Sequence, residues 1–190
     1  MIRRSFLGLT VLVVGLVGCA PRWVIRQQAA PNPLLAQRKF NLEGMHWEQL
    51  RIGGKTEAEY IGGKDADQAA SFQSDKRTFE ERFVGTLTSQ SNGVQYVPAP
   101  PGEGSLYIVR PIVTYFEPGF YVGVAARDSE ADLTVQIFSP DGKPVDEITI
   151  HTRIAATMTS PSSGDRMRKC GDDLGGVTAK YISQRVAPPK

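Results

Sequence analysis

Few side chains in this sequence are placed to do chemistry, and cysteine is the first to weigh. Cys19 closes an apolar run, Leu16-Val17-Gly18-Cys19, where a thiol can act as the nucleophile of a covalent modification. Cys170 falls instead in a helical stripe with Met167, Leu174, Val177 and Tyr181, and a buried thiol remote from cations keeps a high pKa and stays inert. His46 and His151 have no partner at i+3 or i+4, so neither forms a local zinc motif, and strand alternation sends His151 to solvent. Gly54-Lys55-Thr56 has the tail of a phosphate-binding loop, but that loop needs glycine at 49, which is Gln. Gly63-Lys64-Asp65 fails in the same way, with Ala58 upstream. The near-repeat IGGKTEAE and IGGKDAD reads better as two glycine turns, each releasing a cap residue into a helical turn. Asp65 and Asp67, Glu80 and Glu81, and Asp172 and Asp173 read as caps and helix surface, without the closing Glu of a calcium loop. The expectation is no catalytic residue, no metal and no cofactor, in a protein that is not an enzyme.

What precedes Cys19 gives the thiol its context. Arg3 and Arg4 come before twelve uncharged residues, Phe6 to Val17. That is the layout of a secretory signal peptide. Twelve residues rise about 18 Å as a helix, short of the roughly 30 Å of a bilayer core, so a permanent span is not expected. Charge, apolar length and the tetrapeptide LVGC together resemble the lipobox of bacterial lipoproteins. The resemblance implies that Cys19 receives a diacylglyceryl group, carries palmitate-type chains and becomes the first residue of the mature chain. Ala20 rather than Asp after the cysteine implies carriage to the outer membrane, facing the periplasm.

Cleavage there would leave 172 of 190 residues, enough for one domain and a tether. The net charge of +2 comes from Arg3 and Arg4, so the remainder balances at 20 basic and 20 acidic residues. No run of like charge argues for nucleic acid. With Cys19 acylated, Cys170 has no disulfide partner, and the fold must rest on its core.

The expected organisation is a signal peptide at 1–18, a lipidated N-terminus and tether at 19–38, one domain at 39–186 and a tail at 187–190. The Pro- and Gln-rich composition supports a tether, although Trp23-Val24-Ile25 could add an edge strand. Phe40 to Ile52 predicts a strand broken at Gly44. Asp65 and Asp75 are candidate caps around a helix whose Phe72, Phe79, Phe83 and Leu87 share one face. Short strand 94–98 and a central strand through SLYIVRPIVTYF follow, with a bulge expected at Pro111, which lacks a ladder donor. Leu133, Val135 and Ile137, then Ile148 and Ile150, alternate with polar residues across a Ser139–Lys143 turn, an antiparallel hairpin with one wet face. A last helix starts after Ser162 or Ser163, with Gly171, Gly175 and Gly176 expected to bring it close to the sheet. The class is α+β: a two-layer sandwich with a mostly antiparallel sheet of about five strands and two main helices on one face.

EPGFYVGVAAR, residues 117–127, connects two strands and sets Phe120, Tyr121 and Val122 between glycines. Aromatics exposed in such a loop are candidates for partner contact.

PNPLLAQRKF, KTEAEYIGGKDADQAASFQSDKRTFEERF, SPDGKPVDEI and RMRKCGDDLGGVTAKYISQR, spread over residues 31–186, make the chain similar to bacterial lipoproteins whose single domain resembles the amino-terminal domain of TolB. That resemblance implies a non-enzymatic binding or scaffold role in the cell envelope, with the membrane and an envelope protein as partners, and transfers no functional residue beyond Cys19. A carrier of a small apolar ligand, or an envelope hydrolase around Cys170 or His151, are the alternatives.

Overall fold

The computed structural model describes residues 22–102 and 105–188. Alternation sets the long strands: in β9 (Ser129–Phe138) residues 129, 131, 133, 135 and 137 are buried and their neighbours half-exposed. The expected turn at Ser139–Lys143 joins it to β10 (Pro144–Ile154), antiparallel along its whole length. β6 (Tyr107–Glu117) lies antiparallel on the other side of β9, and β1 (Trp23–Gln28) lies antiparallel on the outer side of β10. β2 (Lys39–Leu42) pairs in parallel with β6 and with β5 (Gln95–Pro98), giving the order β1-β10-β9-β6-β2-β5. The two-residue strands β3 (Arg51–Ile52) and β4 (Lys55–Thr56) bring the sheet to eight. β7 (Phe120–Tyr121) and β8 (Ala126–Arg127) form a separate ribbon.

The helices start where the sequence places their caps. Thr56 and Glu59 make a reciprocal capping box for α1 (Glu57–Ile61), Asp65 accepts from Gln68 N–H at the head of α2 (Ala66–Gln90), and Ser162 caps α3 (Ser163–Val186). Both turns of the near-repeat thus end in a cap. Phe72, Phe79, Phe83 and Leu87 are the buried residues of α2. Phe116 of β6 receives Trp47, Phe72 and Phe79 edge-on at 5.6, 5.8 and 5.3 Å, the preferred geometry for aromatic quadrupoles. Phe116 pairs with Ala131, on the β9 face that also holds Ser129, whose carbonyl lies against Cys170 of α3. Both long helices therefore cover one face of an α+β fold, and among the described residues no helix covers the other.

Several expectations change. The sheet is mixed rather than mostly antiparallel, because the connection from β2 to β5 carries α1 and α2, long enough for a parallel crossover. Of the two readings of residues 19–38, the edge strand open at Trp23-Val24-Ile25 is the one that forms, as β1, with Trp23 packed edge-on against Tyr181 at 5.5 Å and Leu34 fully buried. Pro111 stays in register with Val135, and the irregularity falls between Val113 and Tyr115. On its other side the missing donor falls in the gap between the β2 ladder, which ends at Leu42 opposite Val109, and the parallel bridge of His46 to Ile112, whose His46 N–H donates to the Pro111 carbonyl. Asp75 lies within α2, not at a cap. The α3 glycines approach α2, not the sheet: a methyl group at 175 would lie 2.5 Å from the Phe83 carbonyl oxygen.

Candidate functional site

Local chain geometry gathers four exposed apolar side chains, Phe120, Val122, Val124 and Met158, at one end of the sheet. β6 ends at Glu117 opposite Glu130, and β10 ends at Ile154 opposite Ser129. Past this row the chain turns through Pro118 and Gly119 into the β7–β8 ribbon. Gly119 has φ +66°, and a Cβ there would fall 2.2 Å from the Arg127 carbonyl oxygen, so no other residue fits. The ribbon closes when Val122 N–H donates to the Ala125 carbonyl. Phe120 is 47% exposed, Val122 65% and Val124 fully, while Tyr121 is half-buried. Met158, 83% exposed, tops the neighbouring turn closed between Thr157 and Ser160.

Arg166 fastens both loops. It is fully buried, and its guanidinium donates to Ser129 Oγ at 2.9 Å, to the Ser160 and Pro161 carbonyls at 2.8 and 2.7 Å, and to the Pro118 carbonyl at 3.3 Å. Those acceptors are neutral, so it joins three chain segments by its fork geometry rather than by charge neutralisation. The sequence carries no signal for this; an Arg in the first turns of a polar helix reads as surface. Val124 and Met158 were likewise missed, though Gly123 marks the turn that exposes Val124.

Histidine and carboxylate chemistry converges elsewhere, at the end of β2. Glu43 has a fully buried side chain. Its Oε2 accepts from Arg110 Nε at 2.5 Å and pairs with His46 Nε2 at 3.0 Å; its Oε1 accepts from Arg110 Nη2 at 3.0 Å and Gly102 N–H at 2.8 Å. Burial alone would raise the carboxyl, but Arg110, the Gly102 N–H and His46 outweigh it and hold it below its ordinary range. With four hydrogen bonds from three residues on its two oxygens, this carboxylate is spent as a structural joint and is not poised to take a proton. Glu43 precedes His46 by three, a spacing found only by searching backward from the histidine.

The remaining reactive groups are also engaged. Burial, helped by nearby Asp173, pushes the Cys170 thiol up to about 12. His151 Nδ1 lies 2.6 Å from Asp132 on the face opposite the long helices, exposed as alternation requires. Asp173 holds Arg22 through both oxygens and accepts from Thr152, and buried Asp146 accepts from Tyr181, Arg185 and Ala29 N–H. Among the described residues no group of three or more His, Cys, Asp or Glu is arranged to hold a metal ion, and no helix is long and apolar enough to cross a membrane. Cys19 lies outside the described residues.

No protein-family model and no curated protein matches the chain. Among solved structures it is similar to PelC from Paraburkholderia phytofirmans, a dodecamer, at 16% identity and a TM-score of 0.48 over 88% of this chain and 99% of that one. It is also similar to a hypothetical protein from Chlamydia trachomatis, at 10% identity and TM-score 0.46 over 78% and 99%. A third is a neuraminyllactose-binding hemagglutinin homolog from Helicobacter pylori, at 12% identity and TM-score 0.42 over 83% and 85%.

Proposed function

We propose that this protein is a lipid-anchored, periplasm-facing accessory of the bacterial outer membrane that works by binding rather than by catalysis. The observation that carries the reading is the spacing between Leu16-Val17-Gly18-Cys19 and the fold: Trp23, four residues after the cysteine, is already paired with Ile150. A chain that began at an acylated Cys19 would pass almost directly from lipid into sheet. Two chains or more at that residue would hold it stably, where one binds only marginally.

An envelope protein is the partner this reading assigns, met along the outer edge of β1. Val24 and Ile25 are 55% and 49% exposed there, and among the described residues β1 pairs on one side only. An open strand edge offers main-chain donors and acceptors to an incoming strand. The anchor is tested by Triton X-114 partitioning of cell extracts: wild type enters the detergent phase and Cys19→Ser does not. Equal partitioning of the two would overturn the proposal.

A further inference from the structure

We propose that the tip of the β7–β8 ribbon and Met158 rest in the interfacial layer of the phospholipid bilayer that holds the Cys19 anchor, so that the domain stands on the membrane with this end down. The inference builds on the lipid-anchor reading and adds an orientation and a second contact.

Register supplies the distance. Trp23 pairs with Ile150, and β1 runs antiparallel to β10, so the chain upstream of Trp23 heads toward the Ile154 end of the sheet. Four chain steps lead from Cys19 to Trp23, a reach of at most about 14 Å. Ile150 to Ile154 covers about 13 Å of strand. The acyl chains are thus tethered within reach of the row from which the ribbon and the Met158 turn project. Arg22, held on Asp173 at 2.5 and 2.6 Å, takes further slack out of this connection.

Chemistry selects lipid as the occupant. Phe120, Val122, Val124 and Met158 are exposed apolar groups on two adjacent loops. Both loops are fixed to the buried guanidinium of Arg166, so they meet a surface as one rigid unit. Three arginines at this end are paired within the chain, Arg127 with Glu117, Arg153 with Asp128 and Arg168 with Asp165, while Lys169 donates to Ser160 Oγ at 3.2 Å. Contact through this end is therefore mainly apolar, and it is expected to depend only weakly on salt and on anionic lipid. The sequence marks Phe120, Tyr121 and Val122 as candidates for partner contact. Proximity to the anchor gives them to the bilayer.

The test uses the acylated full-length protein in neutral phosphatidylcholine vesicles. Cys170 is buried and Cys19 would be acylated, so a cysteine introduced by Val124→Cys or Met158→Cys takes an environment-sensitive fluorophore alone. Asp141→Cys, in the turn at the opposite end of β9, is the control. Labels at 124 and 158 should shift to the blue and be quenched by a nitroxide near the lipid headgroup about threefold more than the label at 141, as for groups seated in the interface. Protein that floats with vesicles while the labels at 124 and 158 stay water-exposed would overturn the orientation and leave the anchor standing. A blue shift that grows with protein concentration without nitroxide quenching would mean a second copy covers the patch, and would overturn it too. Failure to float, with intact mass showing Cys19 unmodified, would remove both readings.

Discussion

Gly171 of α3 sits against Phe79 of α2 so closely that a methyl group at 171 would lie 2.5 Å from the Phe79 carbonyl oxygen. Gly175 stands in the same relation to Phe83, so two backbones touch over a full turn where side chains would otherwise hold them apart. Gly171→Ala and Gly175→Ala should each destabilise by about 1–3 kcal/mol through overpacking, against a helix-propensity gain of about 1 kcal/mol. Gly176 meets only the flexible Gln90 amide, so Gly176→Ala should be neutral or stabilise by up to about 1 kcal/mol. Urea unfolding midpoints of the three variants check the opposite signs.

Arg110→Met would leave the Glu43 carboxylate buried without its cation. Breaking such a pair costs about 3 kcal/mol at neutral pH. Glu43 is held below its ordinary 4.5 in the folded state, so its contribution is fully present above that value and is lost as pH falls through the folded pKa. Chemical denaturation from pH 7 to pH 3 should show the difference between wild type and variant shrinking as the carboxylate protonates. A gap that stays constant would show that the charge is not what Arg110 answers.

Arg166→Met should release the two loops that the guanidinium joins, exposing residues 119–126 and 155–160 to protease while the sheet persists. The loss of four buried hydrogen bonds sets the cost at about 2–4 kcal/mol. Arg166→Lys should rescue little, because an ammonium cannot reproduce the fork. Limited proteolysis with mass mapping reads the outcome, and cleavage spread evenly over the chain would count against it.

Cys170 should resist thiol reagents in the folded protein at pH 8, reacting about a hundredfold more slowly than after denaturation. Its thiol is raised to about 12, so stability that is complete below the unfolded thiol pKa should decline as pH climbs past 9 and only the unfolded chain ionises. Reagent titration with and without urea provides the comparison.

Period and caps were readable from the residues: the α2 phenylalanines, the β9–β10 alternation and the Thr56, Asp65 and Ser162 caps all announce themselves within a few positions. What escaped depends on contacts distant in sequence. Trp23-Val24-Ile25 is open between tether and edge strand until Ile150 and Tyr181 are beside Trp23. Arg166 looks solvated because its acceptors lie on three other segments, and Glu43 becomes a joint only once Arg110 and Gly102 arrive. Parallel pairing of β2 with β5 was hidden for the same reason, since a short strand carries no mark of its neighbour's direction.

The outermost strand comes from the start of the chain and its neighbour from near the finish, with Gln28 opposite Asp146 and Trp23 opposite Ile150. Closing that seam joins residues more than a hundred positions apart, a slow step on any search by diffusion. Synthesis must deliver β10 before β1 has anywhere to dock. Until then the chain lacks its finished sheet, and the export proposed above would have it threaded through a translocation pore before the last strand is zipped in.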